Sequence, residues 1–261
     1  MVTAATAFAV YGWRKFAGQA DRPWKTVARV LCCFVVIAFL FGTACLSFTE
    51  SRTVQFFGGL VTSVETDAPV VALTFDDGPT PEGTEQILAI LGEADVRATF
   101  FLTGGEIEAH PELAARIVAE GHEVGNHSYS HQRMIGKPLE FIRRELEETD
   151  RLIRQAGYGE EIHFRSPYGR KFIALPWVLH REGRENILWD VEPETWPEVA
   201  GNTEAIVAHV LEETGPGSII LLHVMYPENS ESMEAVAGII DGLRDRDYRF
   251  ATVSELLELD E

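Results

Sequence analysis

Apolar positions follow two regimes along this 261-residue chain. Over residues 30–48 they run together, and no side chain in that stretch is charged. Its length suffices for a helix to cross a bilayer. After residue 69 they come in short blocks that suit buried strands or one face of a helix. The blocks predict strands over residues 70–75, 98–102, 123–126, 162–165, 187–191, 218–222 and 249–252. Helices are predicted over 84–91, 111–120, 139–155, 175–181, 203–213, 233–244 and 254–259. In the third helix, Leu139, Ile142, Leu146, Leu152 and Ile153 recur at helical spacing, with charge on the other face. Gly92, Gly121, Gly157 and Gly183 fall where helices should end, where a left-handed cap suits glycine. Strand–helix alternation over about 190 residues predicts one α/β domain, barrel-like or doubly wound.

Charge gives the apolar stretch a direction. Arg14, Lys15, Arg22, Lys25 and Arg29 precede it against one acid, Asp21. By the positive-inside rule the N-terminus stays in the cytoplasm and the bulk of the chain is exported. A cleaved signal peptide is the competing reading, but the basic region is long for one and no clear small-x-small site follows. Gly42-Thr43-Ala44-Cys45 resembles a lipoprotein cleavage box without the bulky residue three before the cysteine. The expected organisation is a short basic cytoplasmic segment (1–29), a single transmembrane helix left uncleaved (30–48), a polar linker (49–69) and a catalytic domain (70–261). The three cysteines, Cys32, Cys33 and Cys45, all lie in the apolar stretch, so the domain has neither a disulfide framework nor a cysteine metal site. Outside residues 1–48 there remain 17 basic and 40 acidic residues, a formal charge of −23. Such a surface repels nucleic acid, which is excluded as a partner.

The candidate chemistry gathers at predicted strand ends, where α/β folds collect function. Thr74-Phe75-Asp76-Asp77-Gly78-Pro79 closes the first strand with two adjacent carboxylates. Taken alone this reads as an Asp-rich turn capping a helix. Two like charges so close raise one pKa unless a cation relieves them, and Gly78-Pro79 lets both turn to one rim. His127-Ser128-Tyr129-Ser130-His131 follows another strand end. If that segment turns helically, the imidazoles lie about 6 Å apart at Cβ and can share a metal. Asp77, His127 and His131 would make a set with open coordination positions, as in catalytic sites. Zinc suits these ligands; iron, cobalt or nickel would also fit. In Arg165-Ser166-Pro167-Tyr168-Gly169, the arginine is placed to hold a carboxylate ionised, and loop amides are placed to meet an oxyanion. His223 ends the run Ile219-Ile220-Leu221-Leu222 and is the candidate general acid. His110, His122, His163, His180 and His209 have no such placement and are read as structural.

In order and spacing these four motifs resemble the NodB-type polysaccharide deacetylases, carbohydrate esterase family 4. The resemblance covers roughly residues 70–259. It implies a distorted (β/α) barrel with fewer than eight strands, here about seven. It also implies divalent-metal-dependent removal of acetyl groups from N-acetylated sugars. Residue by residue it implies Asp76 as general base, with Asp77, His127 and His131 as metal ligands. Arg165 orients the base, the Tyr168 backbone N–H meets the oxyanion, and His223 is the general acid. The family's Asp-x-x-Asp-Trp motif is altered to Glu192-Pro193-Glu194-Thr195-Trp196. Trp196 is kept and is a candidate substrate contact. Either Glu192 tunes His223 through a longer side chain, or Asp190 or Glu194 does. Val224 stands where an acid is often found.

The expected function is hydrolysis of an acetamide on amino sugars of a cell-wall or secreted polysaccharide outside the cytoplasmic membrane, peptidoglycan or a chitin-like polymer. One alternative is a membrane-tethered glycan-binding module with degenerate catalysis. Another is the same fold acting on O-acetyl esters or a different non-peptide C–N bond.

Overall fold

The protein is described over residues 23–259 by a computed structural model. Arg14, Lys15, Asp21 and Arg22 of the expected basic segment lie outside the described residues. The chain divides into two compact units, Met1–Ser47 and Phe48–Glu261. Helix α1, Pro23–Glu50, holds the whole predicted apolar stretch. Within it Val27–Glu50, of mean hydropathy 2.6, is the one helix among the described residues long and apolar enough to cross a membrane. Phe34, Phe39 and Phe41 are each 70% exposed, and a contiguous apolar surface of that kind marks a membrane or protein contact.

Beyond α1 the order is β1 (Leu60–Val61), β2 (Val70–Asp76), α2 (Pro81–Ala94), β3 (Thr99–Leu102), α3 (Gly104–Ala109), α4 (Pro111–Ala119), β4 (Glu123–Asn126) and α5 (Leu139–Gln155). It continues with α6 (Ala174–Arg181), β5 (Asn186–Ile187), α7 (Pro197–Ala200), α8 (Thr203–Glu213), β6 (Ile219–Leu222), α9 (Ser230–Arg244), β7 (Arg249–Ala251) and α10 (Val253–Leu257). Every pairing between these strands is parallel. The order β4-β3-β2-β6, with β7 also on β2, forms a five-stranded sheet, and β1 and β5 form a separate pair.

All seven residues of β2 are buried, as befits a central strand covered on both faces. Its side chains alternate. Val71, Leu73 and Phe75 join Ile87 and Leu91 of α2 and Ile239 and Ile240 of α9 in one core. Val70 and Ala72 face a second core with Phe101, Trp189 and Leu221. Each large side chain buried this way contributes about 2 kcal/mol.

The expected count of about seven strands in one sheet needs correction: five share one sheet and two form a separate pair. The predicted strand at 162–165 is reduced to isolated bridges from Phe164 to Asn126 and Asn186, and that at 187–191 to β5 plus a bridge between Val191 and Ile220. Side chains occupy the groups a ladder would use. Arg165 donates to the Ile187 and Leu188 carbonyls, both at 3.0 Å, and the Asn186 side chain accepts from Ser166 N–H at 3.0 Å. Gly92 is inside α2 rather than at its end, and Asp95, with φ 51°, makes the left-handed cap. Residues 49–69, expected as a linker, carry β1, and buried Val64 donates its N–H to the Gly217 carbonyl at 2.9 Å.

Candidate active site

Period two in β2 puts Thr74 and Asp76 on the same face, and Arg165 grips both. Its Nη1 donates to Thr74 Oγ1 at 2.8 Å and to Asp76 Oδ1 at 2.7 Å. The guanidinium is fully buried, 4.0 Å from the centre of the Phe101 ring. With Nε and Nη2 spent on two carbonyls, its position is set from three directions. Burial pushes the Asp76 carboxyl up, but Arg165, helped by the charge of His223, outweighs it and holds the pKa below the ordinary carboxylate range. Asp76 is therefore an anion at neutral pH.

Asp77 lies just past the strand with a left-handed φ of 71°. That turn brings to one rim two carboxylates that a continuing strand would send to opposite faces. Gly78 follows with φ 74°, and a Cβ there would lie 2.7 Å from Met225 Cγ, so the turn needs glycine. Facing Asp77 are His131 Nε2 at 3.4 Å and His127 Nε2 at 4.0 Å from its Oδ1. Ligand atoms of Asp77, His127 and His131 all fall within 4.8 Å of one another. His127 Nδ1 donates to the Arg165 carbonyl at 2.9 Å, which leaves its Nε2 lone pair for a metal. Burial pushes the His127 pKa down, so the ring is neutral as a ligand must be. This set fits a divalent metal that accepts nitrogen and oxygen donors.

The two histidines do not share a helix turn. Ser128 and His131 have φ of 65° and 51°, so the segment is a tight loop. Glu145 of α5 holds it, accepting from Tyr129 N–H at 3.1 Å, Ser130 N–H at 2.7 Å and Ser130 Oγ at 2.9 Å. Glu145 is buried among the apolar residues of α5. An acid three residues after Ile142 and next to Leu146 was the sequence signal for it.

His223 is held by Glu194. Its Nδ1 meets Glu194 Oε2, and its backbone N–H donates to Oε1 at 2.9 Å, where Ser232 Oγ also donates at 2.5 Å. Burial pulls the His223 pKa down, but the hydrogen bond and charge of Glu194 outweigh it and raise it to about 9. Of the three acids left open by the altered motif, Glu194 is therefore the one on His223. Glu192 accepts from Trp189 Nε1 at 2.9 Å and Thr195 Oγ1 at 2.5 Å. Asp190 accepts from Ser218 Oγ and Ile219 N–H, both at 2.8 Å, and ties the β5 side to β6.

Asp76, Asp77, His127, His131, Tyr168 and His223 line one open cleft of ≈ 520 Å³, together with Glu50, Arg52, Arg133, Arg170, Trp189 and Glu192 among others. Arg165 stands behind that surface, fully buried. Tyr168 takes a left-handed φ of 59° and lies against His131, ring centres 4.6 Å apart. Trp196 is not among the residues lining the cleft; its half-exposed ring lies 6.4 Å from that of His209. Trp189 is the tryptophan on the cleft wall.

Residues 63–182 match the sequence pattern of the family described as polysaccharide deacetylase. The chain is similar to the peptidoglycan-N-acetylmuramic acid deacetylase of Bacillus subtilis, 36% identical over 199 residues, which covers 76% of this chain and 40% of that protein. It is similar to a peptidoglycan-N-acetylglucosamine deacetylase of Bacillus cereus, 33% identical over 202 residues, covering 76% of this chain and 93% of that one. Its fold is similar to that of a carbohydrate esterase family 4 pseudoenzyme from Bacillus anthracis, with TM-score 0.68, 29% identity, and 76% and 68% of the two chains covered.

Proposed function

The chain belongs to the polysaccharide deacetylase family, and from that premise we propose that it hydrolyses N-acetyl groups on amino sugars of a cell-wall or secreted polysaccharide. The observation that carries this reading is the division of labour between neighbouring carboxylates. Asp76 is bound by Arg165 and lies 3.5 Å from His127 Nε2, while Asp77, with no arginine partner among the described residues, faces both His127 and His131. Asp77, His127 and His131 would hold the metal, most suitably Zn2+, with Co2+, Ni2+ or Fe2+ as other candidates. When bound, such an ion supplies Lewis-acid polarisation of the acetyl oxygen and acidifies water.

Asp76, ionised and oriented by Arg165, takes the proton of the attacking water. The Tyr168 backbone N–H donates to the oxyanion as its charge develops, a contact that strengthens only toward the transition state. His223, kept protonated by Glu194, delivers a proton to the departing amine. Acetate and a free amino sugar leave. We assign residues 1–29 to the cytoplasm, 30–48 to an uncleaved anchor and the folded domain to the outer side of the membrane. The exposed apolar face of α1 supports an anchor, and protease accessibility of the domain in intact cells tests the assignment. The sheet with its bridges at Phe164 and Val191 is compatible with a distorted, incompletely hydrogen-bonded barrel.

The test is a substrate panel: N-acetylglucosamine oligomers, peptidoglycan and O-acetylated xylan, assayed for acetate and free amine after zinc loading. Acetate with an equal yield of amine supports the reading. Acetate without amine moves the activity to esters. Binding without turnover makes the domain a glycan-binding module, the reading that similarity to a pseudoenzyme favours.

A further inference from the structure

Two residues of the cleft wall, Glu50 and Arg52, come from the exit of the apolar helix rather than from the sheet. Glu50 is the last residue of α1, two positions after the uncharged stretch ends at Phe48. A helix rises ~1.5 Å per residue, so a wall containing Glu50 begins within about one turn of the last apolar side chain.

Residues 48–52 are built into the domain, not strung loosely from it. Glu50 pairs with Arg170, two residues after Tyr168. The next residue, Lys171, donates its N–H to the Thr49 carbonyl at 3.2 Å and its Nζ to the Ser51 carbonyl. The Lys171 side chain is fully buried, and burial pulls its pKa down to about 8. Leaving that ammonium without the Ser51 carbonyl would cost it a hydrogen-bond partner in a desolvated place. Phe48 and Phe56 rings are 4.2 Å apart, and Phe172 closes the cluster at 5.7 Å from Phe56. Arg52 reaches Glu192 at 3.5 Å and lies 5.7 Å from the centre of the Trp189 ring. The helix exit is thus fastened both to the Tyr168 loop and to the Trp189–Glu192 turn.

We propose that the cleft works at the bilayer surface on a lipid-linked N-acetylated sugar, with Arg52 as a residue that selects it. The proposal rests on the deacetylase and anchor readings above. A cleft on a long tether could search distant polymer. One walled by the end of the membrane span reaches sugars held at headgroup depth, and a lipid anchor on the substrate raises its concentration there. Membrane lipids that carry sugars through a phosphate place an anion beside the sugar. The cleft wall offers cations for it on a domain of formal charge −23: Arg52, and Arg133 stacked 5.0 Å from the centre of the Tyr168 ring.

The test uses the zinc-loaded full chain in phosphatidylcholine–phosphatidylglycerol vesicles. Its substrates are soluble N-acetylglucosamine tetramer and a polyprenyl-phosphate-linked N-acetylglucosamine in the same vesicles. A rigid helical spacer of four Glu-Ala-Ala-Ala-Lys repeats between Ser47 and Phe48 would lift the cleft by about 30 Å while keeping residues 48–52 in place. Turnover of the lipid-linked sugar should fall at least tenfold with the spacer, and tetramer turnover should not change. Arg52→Ala should lower the lipid-linked rate more than the tetramer rate. A spacer variant that treats both substrates as the parent does would overturn the proposal. Acetate from neither substrate, with the parent protein, would instead overturn the deacetylase reading beneath it.

Discussion

His127 and His223 line the same cleft and are driven to opposite protonation states. His127 is buried, its Nδ1 is tied to a backbone carbonyl, and its pKa is pushed down. His223 is less buried, its side chain 30% exposed against 1% for His127, and a carboxylate on its Nδ1 outweighs the downward push of that burial. A carbonyl partner accepts a proton's hydrogen bond without adding a full charge, whereas Glu194 adds one. The comparison teaches that depth and partner act together: full burial outweighs the two carboxylates facing His127, while a carboxylate bonded to the less buried His223 ring outweighs its burial.

The largest effect should come from emptying the His127 side. Chelation should take acetate release to background and zinc should restore it, while His127→Ala should stay inactive after zinc is added. Restoration of that variant would remove His127 from the ligand set.

Asp76→Asn comes next. Turnover should fall by about 10³-fold, as for loss of a general base. Zinc content, measured by mass spectrometry, should match the parent. Equal loss of metal would show that the two neighbouring carboxylates do one job.

Glu194→Gln tests the His223 side. With its charge gone, the alkaline limb of kcat/KM should move from about 9 toward the ordinary histidine value of 6.5. A full return to 6.5 would lower the rate about thirtyfold at pH 8 and little at pH 6. Stability should show the opposite pH dependence. A raised folded-state pKa contributes stability that is complete below 6.5 and is lost as pH rises through about 9. The melting temperatures of parent and variant should therefore differ most at pH 6 and converge above pH 9. A pH-independent gap would mean Glu194 acts by packing alone.

The smallest effect is expected from Glu192→Gln. Glu192 bonds Trp189 and Thr195 rather than His223, so the alkaline limb should stay in place. A shift as large as that of Glu194→Gln would reverse the assignment of the two acids.

Much of this site was legible along the chain. Asp76-Asp77, His127 and His223 close short blocks that became β2, β4 and β6, and His131 lies four residues on in the loop after β4. Helix boundaries shifted by a few residues, as at α2, where Thr80 caps the start by accepting from Gly83 N–H. The strands at 162–165 and 187–191 were less legible, because a buried arginine and an asparagine took the backbone partners that apolar patterning assigned to a ladder. Glu145 was overlooked because a charge inside a helical stripe reads as noise until the loop it holds is seen. Trp196 belonged to the expected site by motif, yet the turn at 193–195 carries its ring to His209 instead.

By itself, the order of residues determined which segments are buried, where strands end and which chemical groups stand at those ends. Those properties depend on neighbours a few positions away, through side-chain alternation and the breaking of strands by glycine and proline. Only the folded chain decided which of Asp190, Glu192 and Glu194 meets a histidine 29 positions beyond Glu194. It alone also decided that the exit of the apolar helix walls the cleft. Such pairings join residues distant along the chain, and the packing of everything between them sets the distance at which they meet.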